Sequence, residues 1–462
     1  MGSLQAYTKE LLADAYTPVS AYVKLCQGEG TSFLFESGEG VDSVGRYSIV
    51  AWEPISSLRL EHGQTLVEHD GREQQRPENE FFDAAQEVGE SLTVQELPPL
   101  PFVGSLMGYV GYEAVRLMER LPPGPVHHLP VAWLCFPACF VVFDHLHRKL
   151  TLVALAQGEE GGRAKLAEMV DRLHRPVRLV SPPGTFEVVP PPREPFLAAV
   201  ERAKEYIMAG DIFQVVPSAR FTGSTDIDPL AVYRWLRVKS PSPYMFFLRF
   251  PGFSLAGSSP ETLVKVKDGM VYLRPIAGTK GRSADPEEDL ALEREMMDSA
   301  KERAEHIMLV DLARNDAGRV SRYGTVQVSP YMTVERYSHV MHIVSQVNGQ
   351  VAPEVSVWDA FKACFPAGTL SGAPKVRAME IINELEGVAR GPYGGAVGCF
   401  GPGQYMDTCI AIRMIQFDQG RFTLQAGAGI VADSDPQMEY EEICHKAAQG
   451  LAALKLASEG LA

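Results

Sequence analysis

Thr408-Cys-Ile-Ala-Ile-Arg-Met-Ile-Gln-Phe417, then Asp418-Gln-Gly420, then Arg421-Phe-Thr-Leu-Gln-Ala426, reads as two strands joined by a tight turn. Apolar, β-branched and aromatic residues fill both runs, and the polar interruption ending in glycine is a turn signal. A strand that returns at once beside its predecessor makes an antiparallel pair, because a parallel partner needs a crossover of about a dozen residues or more. Strand-like runs at Met270–Pro275 and Val340–Val351 lie among amphipathic helices expected at Phe196–Ala209, Pro286–Ala313, Pro374–Glu386 and Pro436–Ala457. Strands that cluster, instead of alternating with helices, predict an α+β fold. Upstream, the runs Thr31–Phe35, Tyr47–Ala51 and Cys139–Phe143, with helices near Phe81–Val88 and Gly162–Leu173, predict a mainly β amino-terminal part. The proline-rich stretch from Ser181 to Pro195 should be an extended connector, since proline fixes its own φ and restricts its predecessor. The expected organisation is therefore 1–180, a linker over 181–195, and 196–462.

The chain has 462 residues, with 43 Lys and Arg against 58 Asp and Glu, a formal charge of −15. That balance argues against a nucleic-acid surface, which needs clustered cations to neutralise phosphates. With 45% hydrophobic and 22% charged residues, the composition is that of a folded globular protein. No stretch approaches the ~18 uninterrupted apolar residues of a membrane span, and no leader-like apolar segment opens the chain, so a cytoplasmic protein is expected. The seven cysteines are odd in number and contain no CxxC, which argues against a disulfide framework or a zinc site.

Two acidic segments carry the first chemical signal. In Asp298-Ser-Ala-Lys-Glu302-Arg-Ala-Glu305-His306-Ile-Met-Leu309, residues Glu302, Glu305, His306 and Leu309 share one helical stripe. In Ser434-Asp435-Pro436-Gln-Met-Glu439-Tyr-Glu-Glu442-Ile-Cys-His-Lys446, Pro436 suits a first helical position, and Glu439, Glu442 and Lys446 line one face. Each alone could be a solvated acidic face. If the two faced each other, carboxylates ~4 Å apart would repel by about 4 kcal/mol per pair at an effective dielectric near 20. A hard divalent cation such as Mg²⁺, which takes few protein carboxylates and retains waters, would relieve that repulsion.

Arg413 is the only charge in the opening run, so it requires either an internal Asp or Glu partner or an anionic ligand suited to its fork. Glycine turns at Arg274–Thr279, Gly368–Pro374, Tyr393-Gly-Gly and Gln425–Gly429 could present backbone N–H groups to an anion. None is a GxGxxG after a strand or a GxxxxGK[ST] loop. His342, on a β-branched strand pattern, is a candidate acid or base, or a core histidine satisfied by backbone.

Together these segments resemble the chorismate-utilising enzymes, the family of anthranilate-, aminodeoxychorismate- and isochorismate-forming proteins. The resemblance runs through DIFQVVPS (Asp211–Ser218), SPSPYMFF (Ser240–Phe247), AGSSPE (Ala256–Glu261), RPIAGTKGR, KERAEHIMLVDLARND, RYSHVMHIVS, GTLSGAPKVRA, YGGAVG, DTCIAIR and QAGAGIVADSDP. It implies a large α+β fold of two packed sheets flanked by helices. It further implies that Glu305 and Glu442 hold a Mg²⁺ that binds the ring carboxylate of chorismate, with Glu302 and Glu439 alongside through water. Arg413 and Tyr393 would hold the enolpyruvyl carboxylate, and Gly278, Thr279, Gly427, Ala428, Gly429 and Lys446 would line the substrate site. Glu261 would protonate the departing C4 hydroxyl, with His342 and Thr369 orienting ring and leaving group.

Two positions separate the members. Isochorismate-forming relatives place a lysine base where this chain has Gln214, and aminodeoxychorismate synthases often carry a nucleophilic lysine where it has Ala277. The resemblance therefore implies amination at C2 with loss of the C4 hydroxyl and then pyruvate, giving anthranilate at the start of tryptophan biosynthesis. The alternative is the large subunit of 4-amino-4-deoxychorismate synthase, for folate. No cysteine lies in an amidotransferase-like turn, so ammonia would come from a separate glutamine amidotransferase subunit in a hetero-oligomer. Phe33-Leu34-Phe35-Glu36-Ser37 and Pro243-Tyr244-Met245 resemble the segments that form an inhibitory L-tryptophan pocket, which makes Glu36, Ser37, Pro243, Tyr244 and Met245 the expected regulatory residues.

Overall fold

The computed structural model describes residues 3–26, 30–38, 45–337, 340–401 and 404–460. Ser338 and His339, within the segment around His342, lie outside them.

Two long strands, Tyr47–Glu61 and Ala132–Asp144, pair antiparallel and organise the rest. Their register is irregular between Pro54 and Ser56, and the neighbours differ on its two sides. On one side the order runs Leu4–Leu12, Lys149–Ala156, Ala132–Asp144, Tyr47–Glu61, Ser32–Glu36, Tyr244–Phe250, Phe253–Ser259, Met414–Asp418, Arg421–Gly427 and Ser218–Ser224. On the other side it runs Arg72–Pro77, Gln64–His69, the same two long strands, Leu106–Val110, Ala396–Gly401, Tyr405–Ile410, Thr262–Lys267, Met270–Leu273 and Val347–Gln350. All of these pairings are antiparallel. A strand pair that bends at an irregularity can belong to both sheets of a sandwich, which is what the long pair does here.

Alternation places the layers. Along Tyr244–Phe250, Phe246, Leu248 and Phe250 enter one buried cluster with Leu106, Phe136 and Leu263, while Met245 and Phe247 enter another with Tyr22, Leu230 and Leu454. The first cluster fills the space between the sheets, and helices Phe81–Ser91, Ala300–Gly318 and Val357–Cys364 contribute to it. The second lies under helices Pro18–Leu25, Glu159–His174, Pro229–Lys239 and Pro436–Ser458. The α+β sandwich flanked by helices is thus the observed architecture.

Three expectations differ in detail. The turn at Asp418–Arg421 forms, with Phe417 opposite Phe422. The run Thr408–Phe417, however, is two strands in different sheets, Tyr405–Ile410 and Met414–Asp418, with Arg413 at φ 51° in the crossing. Both strands are buried on both faces, so hydrophobicity alone gave no sign of the break. The helix expected over Pro286–Ala313 is two, Pro286–Asp298 and Ala300–Gly318, because Ser299 Oγ accepts the Glu302 N–H at 3.3 Å and caps a new start. Val340–Val351 likewise divides into Val340–Val344 and Val347–Gln350.

The stretch 181–195 is extended, but Phe186 and Val189 bridge to Thr225 and Thr222, and the next helix begins already at Arg193. The parts on either side of it are interlaced. Ser32–Glu36 pairs with Tyr244–Phe250, and Leu106–Val110 with Ala396–Gly401, so the stretch lies along a shared sheet and does not separate two bodies.

Gly108 sits in that seam opposite Gly398, at φ 148°, and a Cβ there would overlap the carbonyl oxygen of Trp133. Gly108→Ala is expected to lower stability by at least about 1–3 kcal/mol, read as a shift in urea midpoint. An unchanged midpoint would show that the seam tolerates separation.

Candidate active site

The two acidic helices reach one cavity of about 410 Å³, which opens between the sheets and the helical layer. Ala300–Gly318 brings Lys301, Glu302, Glu305 and Leu309; Pro436–Ser458, capped by Asp435 through the Met438 N–H at 2.9 Å, brings Met438, Glu439, Glu442 and Lys446. Burial and then Glu302 raise the pKa of Glu305, with Lys301, Gln214 and Lys446 opposing. Burial and Glu442 likewise raise Glu439. Burial also pulls Glu442 upward, but Lys446, Arg413 and Lys301 outweigh it and hold its carboxyl low. Lys446 Nζ lies 3.0 Å from Glu442 Oε1 and donates to the Gly427 carbonyl at 2.9 Å.

The carboxylates share the cavity, yet the expected convergence is only partial. Among the described residues, no three His, Cys, Asp or Glu side chains are close enough to hold a metal ion. Lys301 and Lys446 supply positive charge beside both pairs. The donor set nevertheless fits Mg²⁺ in kind: hard carboxylate oxygens in pairs whose mutual repulsion a divalent cation would relieve.

Glu261, Thr369, Tyr393 and Arg413 line the same cavity. Glu261 follows Phe253–Ser259, and its backbone carbonyl accepts the Ile410 N–H at 3.0 Å, which fixes the loop to the second sheet. Its carboxyl is enclosed by protein, and this burial pushes its pKa up to about 7, against the Thr369 hydroxyl and Lys446. Thr369 Oγ1 donates to Glu261 Oε1 at 3.0 Å, leaving Oε2 to carry a proton.

The two alternatives for Arg413 separate clearly. Its side chain is exposed, but the solvent it meets is that of the cavity: protein surrounds it closely enough for burial to lower its pKa, with Tyr393 and Glu442 opposing. Among the described residues it makes no salt bridge. Its backbone turn carries it out of the sheet, and its carbonyl accepts the Ser258 N–H at 3.1 Å.

Strand Ile276–Gly281 is irregular between Ala277 and Thr279, with Gly278 at φ 63°. The irregularity aims the Gly278 carbonyl at His342 Nδ1, 3.0 Å away, with Thr279 Oγ1 at 3.1 Å. A carbonyl only accepts, so Nδ1 carries the hydrogen and Nε2 is left as an acceptor. Burial lowers the His342 pKa, keeping the ring neutral near pH 7. Gly427 and Gly429 line the cavity, and a Cβ on Gly429 would press on Gln214 Nε2 at 2.7 Å. Ala428 does not line it: its methyl packs beneath with Ile430 and Ile443, and its N–H bonds the Pro217 carbonyl at 3.1 Å.

The expected regulatory residues form a second group, none of which lines this cavity. Met245 pairs with Glu36, and Ser37 Oγ donates to the Pro243 carbonyl at 2.8 Å. Glu36 already accepts from Tyr233 at 2.7 Å and from Arg237 at 2.9 Å, while Tyr244 donates to Asp407 at 3.0 Å.

Sequence reasoning missed the support under the site. Arg390, 1% exposed at its side chain, pairs with Glu386, 3% exposed, and donates to the carbonyls of Leu370 at 2.7 Å and Val216 at 2.6 Å. Glu386 also accepts from the Ser218 N–H at 2.8 Å, and Gln425 Nε2 donates to Ser218 Oγ at 2.8 Å. Their i, i+4 spacing was visible, but such pairs abound on helix surfaces. Lys301 was likewise passed over, one residue before Glu302.

Removing one partner of a buried pair leaves the other charge uncompensated. Glu386→Gln should therefore cost about 3–5 kcal/mol, measured by urea unfolding, and a cost near that of an exposed pair would contradict this burial.

A family model described as chorismate binding enzyme matches residues 30–452 of this chain. Over 477 residues the chain is 44% identical to anthranilate synthase component 1 of Pseudomonas aeruginosa, covering 98% of this chain and 96% of that one. The crystal structure of anthranilate synthase component I from Streptococcus pneumoniae superposes with a TM-score of 0.80 at 36% identity, over 95% of this chain and 99% of that chain. The menaquinone-specific isochorismate synthase of Escherichia coli shares the fold at 18% identity, with a TM-score of 0.75 over 98% of this chain and 95% of that one.

Proposed function

This chain belongs to the chorismate-binding enzymes, and from that membership we propose that it converts chorismate and ammonia to anthranilate, pyruvate and water. The observation that carries the reading is one cavity lined by a buried carboxyl poised near neutrality, Glu261, by Arg413, a guanidinium without a salt bridge among the described residues, and by two acidic helices.

Arg413 and Tyr393 bind the enolpyruvyl carboxylate, the arginine fork matching its two oxygens. The ring carboxylate lies toward the acidic helices, where Glu305 and Glu442 would hold Mg²⁺, with Glu302 and Glu439 alongside through water. When bound, the cation supplies electron withdrawal through that carboxylate. Glu261, held by Thr369, donates its proton to the C4 hydroxyl, which leaves as water while the C4–O bond breaks. Ammonia adds at C2, and the ring double bonds shift to accommodate the new C–N bond. The added nitrogen loses a proton to solvent, His342 Nε2 takes the C2 proton, and the enolpyruvyl C–O bond breaks to leave an aromatic ring and the enolate of pyruvate, which gains a proton from solvent. Gln214 lines the cavity as an amide, unable to deprotonate water, which favours amination over hydration. Ala277 presents a methyl where a covalent route would need a nucleophile, which favours this product over 4-amino-4-deoxychorismate.

The ammonia would come from a glutamine amidotransferase partner in a hetero-oligomer. Six of the cysteines are buried and Cys444 is partly so, and burial raises the pKa of all seven, so none is the activated thiolate that glutamine hydrolysis needs. The group around Ser37 and Pro243 would take L-tryptophan as inhibitor, and the enzyme would act in the cytoplasm. No helix among the described residues is long and apolar enough to cross a membrane.

Purified chain with chorismate, Mg²⁺ and ammonium in mildly alkaline buffer is expected to release fluorescent anthranilate and pyruvate together. A chelator should stop the release, Mg²⁺ restore it, and tryptophan slow it. Formation of isochorismate or 4-amino-4-deoxychorismate instead would overturn the assignment.

Glu261 must be protonated to act, so at fixed free ammonia kcat/KM for chorismate should be retained below its pKa of about 7 and fall as pH rises through it. Glu261→Gln should lower kcat by about 10²–10⁴ and flatten that alkaline limb. A limb that survives the substitution would assign it to another group.

A further inference from the structure

A second cavity, of about 310 Å³, lies away from the active site where helix Pro18–Leu25, strand Tyr244–Phe250, the start of helix Pro229–Lys239 and the segment 178–181 meet. Arg178, Arg234 and Arg249 line it, and the only carboxylate among its lining residues is Asp228. Asp228 is already engaged, its Oδ1 accepting the Leu230 N–H at 3.0 Å as a helix cap.

Among the described residues Arg178, Arg234 and Arg249 make no salt bridge, whereas Arg237, on the same helix as Arg234, pairs with Glu36. Two of them are also held in place. Arg234 donates to the Leu179 carbonyl at 2.7 Å. Arg249 projects from a strand between buried Leu248 and Phe250, its guanidinium 5.8 Å from the Tyr22 ring centroid and 5.6 Å from that of Phe247. Burial first, and then Arg237, lower the pKa of Arg234, with Asp228 opposing, so the cation is carried at a cost that a bound anion would remove. In a chain of net charge −15, a concave cluster of three arginines against one carboxylate is not a solubility feature. Arginine forks are matched to phosphate oxygens, and a cavity of this size admits a metabolite and not a folded partner.

We propose that Arg178, Arg234 and Arg249 form a binding site for a small phosphate dianion, either free phosphate or the phosphate group of a sugar ester. The proposal is independent of the chorismate chemistry, since no residue of this cavity lines the active site.

Isothermal titration calorimetry of the full chain with inorganic phosphate and, in a second arm, ribose 5-phosphate, at ionic strength held constant with sodium chloride, tests it. Saturable single-site binding is expected in at least one arm, weakened about tenfold or more by Arg249→Gln and by Arg234→Gln. If either variant fails to fold, Arg178→Gln, on an exposed side chain, carries the same expectation. Tighter binding of the free ion assigns phosphate, and tighter binding of ribose 5-phosphate assigns an ester. No heat beyond the chloride control, or binding that the arginine substitutions leave unchanged, overturns the site.

Discussion

A single buried ion pair fastens the segments that carry the chemistry. Arg390 reaches the Leu370 carbonyl, next to Thr369, and the Val216 carbonyl, two residues beyond Gln214. Glu386 holds Ser218, and through it Gln425, two residues before Gly427. The backbone N–H groups of Arg390 and Gly391, just before Tyr393, are taken by Glu113 from the amino-terminal half at 2.6 and 2.9 Å. Burying two charges is offset only when their remaining donors and acceptors are filled. Here that filling is done by the loops of the site itself, so the geometry of the cavity and the stability of the pair are one constraint.

That support matters because the cavity works by enclosure. Away from bulk water, identical side chains acquire different protonation behaviour from their neighbours. Glu261, enclosed and hydrogen-bonded by one hydroxyl, is pushed toward neutrality, while Glu442, beside Lys446 and Arg413, stays ionised. In the proposed function one carboxyl is the proton donor and the other remains an anion, although both are glutamates lining the same space. Glu305 and Glu439 are each raised by burial and by the neighbouring acid on the same helix.

The sequence made the antiparallel α+β character legible, because the Asp418–Arg421 turn and the clustering of strand runs depend on local chemistry. It also pointed to Glu261, Thr369, His342, Arg413 and both acidic pairs, through motifs that the fold brings to one cavity. Three things were not legible for physical reasons. The crossing at Arg413 is hidden in a run buried on both faces, where period-two alternation vanishes. The interlacing of the two halves depends on pairings such as Met245 with Glu36, residues far apart in the chain that no local pattern connects. Ala428 looked equivalent to its glycine neighbours, but in an extended turn adjacent residues face opposite ways, and its side chain belongs to the core.

The same backbone arrangement serves an isochorismate-forming protein, so the fold leaves the nucleophile undecided. The decision rests on what the wall of the cavity can do to a small molecule. A buried amide at Gln214, 4% exposed and occupying the space that a Cβ on residue 429 would need, can donate or accept a hydrogen bond but cannot remove a proton from water. Water at that wall stays a poor nucleophile. Under the proposed function, neutral ammonia carries its own lone pair and needs no base to attack, so a wall that offers an amide in place of a lysine favours it by leaving water unactivated.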